Sequence, residues 1–341
     1  MVMHLKRHLV CYLLLLVGNY SPLFAQLADF THHDFSKADS IAALYPNHSI
    51  SNLNELSHKL TSTLNTDVQK FRAIYKWVCD NIANDYSYYA RNKRMREKLN
   101  DDPEQLEEWN EGFRPKVFNK LVKEHKTVCT GYAYLIKELA YFATIECKMI
   151  DGYGRTAQAN IDGEGIPNHT WNAVKLNSKW YLCDATWSSG SITLERSMFI
   201  KEFSEAYFLV HPVLFIQNHY PLDPKWNLMD HSPTLIEFLH RPLVYKNALS
   251  HAIVPHSPSV FKPTVKKGEK ITFRFRSRSE IEKIKMEIGY GGKVNSFYPV
   301  VYKDEQGFYC IDHTFSAKGM YDVHFIKNDD YLFTYVVKSE K

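Results

Sequence analysis

The spacing of apolar residues splits the chain into stretches of different period. Between 67 and 142, apolar positions recur at three- and four-residue steps, as on a helix with one buried face. Phe71, Ile74, Tyr75, Val78 and Ile82 predict an amphipathic helix over 68–83, with Asp67 as its N-cap, Trp77 at the edge of the stripe and Cys79 as packing. A second, more apolar helix runs from Cys129 through Ala133, Ile136, Leu139, Ala140 and Phe142. The period then changes. Residues 145–154 alternate in part and end in glycine, which suits a strand, while 170–176 and 179–185 flank Asn177-Ser178, a hairpin signal. Helices followed by antiparallel strands predict an α+β unit.

Residues 26–65 are polar, with apolar touches at Ile41, Leu44, Leu53, Leu56 and Leu60, and read as a wrapping segment with one helix near 52–62. The densest charge lies at 91–112, a basic block followed by an acidic one, which predicts a solvated insertion or lid. After Pro115 a short helix around 117–122 leads into the loop before Cys129. Residues 196–250 mix helical signals with Pro212, Pro221, Pro224 and Pro242 and read as a buttress. Past a linker at 251–258 the period is two: Ile271, Phe273 and Phe275, then Tyr321, Val323 and Phe325, between regular turns. Short strands of this kind predict an immunoglobulin-like β-sandwich at 258–341. The expected division is 1–25, 26–250 and 258–341.

Residues 1–25 place His4, Lys6, Arg7 and His8 before the apolar stretch 9–17, then Pro22-Leu23-Phe24-Ala25 before Gln26. That order predicts a secretory signal cleaved after Ala25, and hence an exported, periplasmic or extracellular protein. Nothing after it is apolar enough to span a bilayer. The whole chain carries 42 Lys and Arg against 38 Asp and Glu, and losing Lys6 and Arg7 brings it still nearer to balance. No nucleic-acid electrostatics follow. After the leader, which holds Cys11, the cysteines Cys79, Cys129, Cys147, Cys183 and Cys310 are odd in number, so at least one thiol is expected to be free or to pair with another chain. With wide spacings and no CxxC pair, neither a disulfide framework nor a zinc ribbon is expected. His211, His219 and His231 are irregularly spaced, without carboxylates grouped beside them. No metal or cofactor is expected.

The candidate chemistry starts at Cys129. In Lys126-Thr127-Val128-Cys129-Thr130-Gly131-Tyr132 a thiol stands where a loop becomes a helix, and the helix dipole and unpaired N–H groups there favour the thiolate. Across a hairpin with a two- or four-residue loop, paired residues have numbers of opposite parity and side chains alternate between faces. His169 and Asp184 therefore share a face, directly opposed or one diagonal step apart, with Trp171 and Ala173 beside them. Asn172, Val174 and Cys183 go to the other face. A carboxylate so placed can hold one imidazole nitrogen and leave the other for a thiol. Cys129, His169 and Asp184 are the expected nucleophile, base and orienter. Trp171, Trp180 and Trp187 read as hairpin packing.

At these residues the chain resembles the transglutaminase-like superfamily, the papain-like group that includes bacterial secreted transglutaminase-domain proteins and the kyphoscoliosis peptidase. The resemblance rests on Phe71-Arg72-Ala73-Ile74-Tyr75-Lys76-Trp77-Val78, Val128-Cys129-Thr130-Gly131-Tyr132-Ala133, Gly152-Tyr153, His169-Thr170-Trp171-Asn172-Ala173-Val174, and the block from Trp180 to Trp187. A likeness to the kyphoscoliosis-type subgroup continues through Tyr207-Phe208-Leu209, His219-Tyr220-Pro221 and Pro224-Lys225-Trp226. It implies a cysteine-dependent peptidase, amidase or acyltransferase whose partner is a peptide or protein substrate, with cell-envelope material among the candidates. No side chain matches a family oxyanion donor. The other reading is a non-enzymatic binding or scaffold protein that keeps this fold.

Overall fold

The computed structural model describes residues 29–30, 33–161, 163, 165–193 and 198–341, and the expected leader lies outside them. Two helices, Ser36–Ala43 (α1) and Leu53–Thr61 (α2), wrap a third, Asp67–Asn81 (α3). Only α2 was legible in the sequence, because α1 buries just Ala38, Ile41 and Ala42 along eight residues. The N-cap of α3 is Thr66, whose side chain accepts from the Gln69 N–H. Asp67 is instead the first helical residue, where its charge suits the dipole. Trp77 is fully buried and donates to the Tyr45 carbonyl at 2.7 Å.

Arg72 ties this wrap to the rest of the chain. Its buried guanidinium donates to Asp39 of α1 at 2.6 and 2.8 Å and to Glu205 at 2.5 Å through two nitrogens. The Phe35, Phe203 and Phe208 rings lie around it at 4.8 to 5.3 Å. Both carboxylates keep contact with water, so the cost of removing the cation stays below that of a fully buried pair. Arg72→Met is expected to lower stability by about 2 kcal/mol, read as a lower urea midpoint.

The charged block is helical throughout. A two-residue parallel pairing of Ala83–Asn84 (β1) with Lys126–Thr127 (β2) brackets the helices Tyr86–Lys98 (α4) and Pro103–Glu124 (α5). The second runs through Pro115 without stopping there, so the expected short helix is the end of a 22-residue one. Phe113 and Val117 of α5 pack with Val128, and Tyr88, Tyr89 and Trp109 close over them. Trp109 Nε1–H also donates to Asn92 at 2.9 Å. Charge on the outer face and this aromatic seam inside make the block a helical hairpin.

The helix Cys129–Phe142 (α6) lies on a sheet of Cys147–Gly154 (β3), His169–Leu176 (β4), Lys179–Cys183 (β5) and His219–Pro221 (β8), in the order β5-β4-β3-β8. Between these last two strands come a short helix, Ala185–Ser188 (α7), and the paired Gly190–Thr193 (β6) and Met198–Lys201 (β7). Asn172 donates to the Ala133 carbonyl of α6 at 3.0 Å, and Val174 and Cys183 join the core that α6 shares with α3. Trp171, Ala173 and Leu182, on the other face, enter a second core. The parity expectation holds on both faces.

That second core is shared with two C-terminal sheets. One is Ile253–Ser257 (β10), Lys270–Ser277 (β12), Tyr302–Lys303 (β15) and Tyr309–Thr314 (β16). The other holds Leu243–Val244 (β9), Thr264–Lys266 (β11), Lys285–Tyr290 (β13), Lys293–Phe297 (β14), Gly319–Lys327 (β17) and Asp330–Glu340 (β18). Phe273, Phe275 and Ile311 of the first face Val323, Phe325, Phe333 and Tyr335 of the second, the inward alternation of a sandwich. The expected linker at 251–258 is an edge strand, β10, paired with β12, and β9 reaches back to pair with β18. Pro255 suits this position because an edge strand has backbone N–H groups to spare. No described helix is long and apolar enough to cross a membrane.

Candidate active site

Cys129 stands where the chain leaves β2 and enters α6. Val128, the N-cap residue, is extended (φ −106°, ψ 179°) and supplies no side-chain cap. The thiol therefore sits among N–H groups left without a side-chain partner, at the positive end of the helix. Gly131 lets this end press against β2, since a Cβ there would lie 1.9 Å from Thr127 Oγ1.

His169 opens β4, and Asp184 follows β5 as the N-cap of α7. Leu176 opposes Lys179, so the turn is the two residues Asn177 and Ser178, at φ 50° and 64°. Those left-handed values are what a tight hairpin requires. Of the two placements open in the sequence, the diagonal one results, and His169 Nε2 lies 2.7 Å from Asp184 Oδ2. The other carboxylate oxygen accepts the N–H groups of Thr186 at 2.8 Å and Trp187 at 3.3 Å. The cap that starts α7 thus also fixes the carboxylate.

A third group completes the cluster. His219 Nε2 lies 3.1 Å from the same Asp184 oxygen, which corrects the expectation that no carboxylate is grouped with this histidine. The cause is topological: β8 pairs with β3, Gly154 opposite His219, while β3 pairs with β4, Gly152 opposite His169. In sequence the only pointer was the subgroup likeness through His219-Tyr220-Pro221. His211 and His231 are not part of the cluster. The ligand atoms of His169, Asp184 and His219 lie within 4.8 Å of one another, the one described group that could hold a metal ion. Both imidazole nitrogens converge on one oxygen at hydrogen-bond distance, the geometry of a proton network more than of ligands spread around an ion.

Electrostatics divide the groups by role. Burial pushes the Cys129 thiol up, but the His169 ring as hydrogen-bond partner and charge, with the Thr170 backbone N–H, brings it below its ordinary value. Burial disfavours the His169 imidazolium, yet the charge and hydrogen bond of Asp184, and then Cys129, raise it to about 10. Asp184 is buried too, and the His169 charge and hydrogen bond, helped by His219, hold it well below the carboxylate range. His219 goes the other way: burial outweighs Asp184 and lowers it to about 4, so this ring is neutral at pH 7. The other described cysteines, Cys79, Cys147, Cys183 and Cys310, are free thiols that burial pushes up.

Two cavities meet at Cys129, Asn168 and His169, of about 700 Å³ and about 320 Å³. The helical hairpin walls both, with Tyr86, Tyr89 and Lys93 in the larger and Asn92, Arg96 and Asn110 in the smaller. Trp187 packs against the second core and in addition lines the larger cavity and lies over the His169 ring, centroids 5.0 Å apart, whereas Trp171 is buried and Trp180 packs on Trp226.

A helix-borne cysteine thus lines the same cavities as a histidine paired with an aspartate on an antiparallel sheet, in a domain of mixed helix and strand. Residues 54–185 match the family model of the Transglutaminase-like superfamily, and the chain carries a transglutaminase-like domain there, of a superfamily typified by cysteine peptidases and acyltransferases. The mouse and human proteins named kyphoscoliosis peptidase are each 33% identical to it over 190 residues, 55% of this chain and 26% of theirs. Hillarin of Drosophila melanogaster is 24% identical over 224 residues, 62% of this chain and 25% of its own. The chain thus spans about a quarter of the length of these relatives, and all of them are eukaryotic. A solved TGase structure is 18% identical, covers 50% of this chain and 36% of its own, and superposes with a TM-score of 0.26.

Proposed function

We propose that the protein is an exported cysteine hydrolase or acyltransferase acting on peptide or protein amides through a Cys129, His169 and Asp184 triad. The observation that carries this reading is the 2.7 Å contact of His169 with Asp184, which leaves the other ring nitrogen for a thiol in the same cavity. The Cys129 thiolate attacks the amide carbonyl, and the new oxyanion meets the N–H groups at the start of α6. The His169 imidazolium then gives its proton to the departing amine. Water or a second amine, deprotonated by His169, attacks the thioester and frees Cys129. The peptidase names of the mammalian relatives support amide substrates.

A thiol-directed electrophile tests the nucleophile directly. At pH 7, iodoacetamide is expected to alkylate Cys129 at least about a hundredfold faster than Cys147, whose thiol burial pushes up to about 12. Peptide mapping by mass spectrometry reads both. Equal resistance of the two thiols would sink the proposal. A binding or scaffold role draws on the sandwich, where Val294, Tyr298 and Val300 are 68, 64 and 80% exposed near β14. That reading requires partner capture to survive Cys129→Ala unchanged, with no acyl-enzyme trapped on the wild-type chain.

A further inference from the structure

We infer that His219 is a positioning residue for the proposed reaction: its Nε2–H holds the Asp184 oxygen that in turn holds His169. The inference rests on the reading that Cys129 and His169 carry the chemistry. His219 is fully buried in an aromatic box, its ring centroid 4.0 Å from Phe215, 4.4 Å from Trp187, 5.1 Å from Trp171 and 5.6 Å from Tyr207. Its nitrogens have two partners: Asp184 Oδ2 at 3.1 Å from Nε2, and the Asn218 side chain at 2.7 Å from Nδ1.

A carboxylate only accepts, so Nε2 carries the proton. The ring is neutral, so Nδ1 must accept. Amide oxygen and nitrogen have the same shape, and one orientation of Asn218 satisfies every group. In the structure the Asn218 Nδ2–H donates to the Tyr207 hydroxyl at 3.0 Å and the Asn218 oxygen faces Nδ1. With the amide turned over, the Tyr207 hydroxyl donates to the Asn218 oxygen, the Asn218 N–H to Nδ1, and Nε2–H to Asp184. A phenylalanine would fill the same box with no polar atom to satisfy. What the imidazole adds is that one N–H.

Its effect on His169 follows from sharing. Oδ2 accepts from two histidines, and a carboxylate that already takes a second donor is a weaker acceptor for the first. The His169 imidazolium is held in place, yet it stays acidic enough to give its proton to a leaving amine. Cys129 faces His169 from α6. The phenols Tyr75, Tyr132 and Tyr207 and the thiols Cys79 and Cys183 surround Asp184, and burial keeps all five neutral well above their ordinary values.

The test compares the full chain with His219→Phe and His219→Gln, following alkylation of Cys129 by iodoacetamide from pH 5 to 11. A thiolate paired with imidazolium reacts more slowly than a free one, so loss of the His169 proton appears as an alkaline inflection. With one donor withdrawn, His219→Phe is expected to move that inflection up by about one pH unit, while Thr186 and Trp187 still hold the other oxygen. His219→Gln, whose side-chain N–H reaches Oδ2, returns it to near the wild-type position. Thermal melting shows that the variants fold, and His219→Leu replaces the phenylalanine if the larger ring does not. A folded apolar variant with the wild-type inflection overturns the inference, as does glutamine behaving like phenylalanine. If wild-type Cys129 reacts no faster than Cys147, the parent reading falls first and takes this one with it.

Discussion

Asp184→Asn is expected to slow alkylation of Cys129 at pH 6 by about a hundredfold, because removing an opposite charge a few ångströms away shifts a pKa by roughly 1–3 units. The aspartate is what raises His169 to about 10, and the resulting imidazolium is what brings the thiol down. An amide can serve only one side of the site. If its oxygen faces the two histidines, its NH2 meets the N–H groups of Thr186 and Trp187; turned round, it meets two imidazole N–H groups. Buried donors are left unpaired either way, at about 1–3 kcal/mol. The loss has a defined pH window. A depressed carboxylate stabilises the fold above its ordinary 3.8 and loses that contribution as pH falls through its lower folded value. A raised histidine contributes fully below its ordinary 6.5 and loses this as pH rises through about 10. Wild type and variant should therefore differ most in urea midpoint between about pH 4 and 6.5, the difference shrinking toward pH 10 to the pH-independent cost of the unpaired donors. A constant difference across that range would show that Asp184 acts only as a helix cap.

The part of this site that the sequence carried is local. Cys129 needs only a helix start, and the pairing of His169 with Asp184 needs only side-chain alternation and the length of one turn. Whether the two would be opposed or diagonal depended on the turn, and Asn177-Ser178, both left-handed, settled it as two residues. His219 could not be found this way. Its place depends on β8 crossing to pair with β3 after more than sixty intervening residues, and no period along the chain encodes that register.

Proline and charge misled for a related reason. Pro115 points to a helix starting after it because proline breaks an isolated helix, but in α5 the burial of Phe113 and Val117 on either side outweighs the one lost hydrogen bond. Pro255 and Pro258 suggested a linker, whereas an edge strand tolerates proline and β10 is such a strand. The charged block at 91–112 was legible as solvated. That its inner face walls two cavities required the seam of Tyr88, Trp109 and Phe113, which is aromatic contact between helices and not a pattern within either.

Gly152→Ala is expected to cost about 3 kcal/mol, the upper end for overpacking, and to remove Cys129 reactivity at temperatures where the chain is still folded. A Cβ at Gly152 would lie 2.2 Å from the Tyr220 carbonyl, 2.5 Å from Trp171 Cη2 and 2.8 Å from Pro221 Cα. Two of these are backbone of β8, which no rotamer change can move. Either β8 separates from β3 and draws His219 off Asp184, or Trp171 leaves its place against His219 and His169, at ring separations of 5.1 and 6.1 Å. Gly154 supplies the contrast. A Cβ there meets the His169 side chain, 2.9 Å from its Cβ, which β4 holds, and 3.1 Å from its Cγ, with no backbone atom among the nearest contacts. Gly154→Ala should therefore lower the melting temperature less than Gly152→Ala does while slowing alkylation of Cys129, because its relief takes a small shift of β4 at His169 together with a turn of the imidazole. Scanning calorimetry and iodoacetamide kinetics on both variants separate the two cases. Equal loss of stability in both would mean that the glycines serve the sheet alone, and that the cluster of Asp184, His169 and His219 tolerates movement of the strands that carry it.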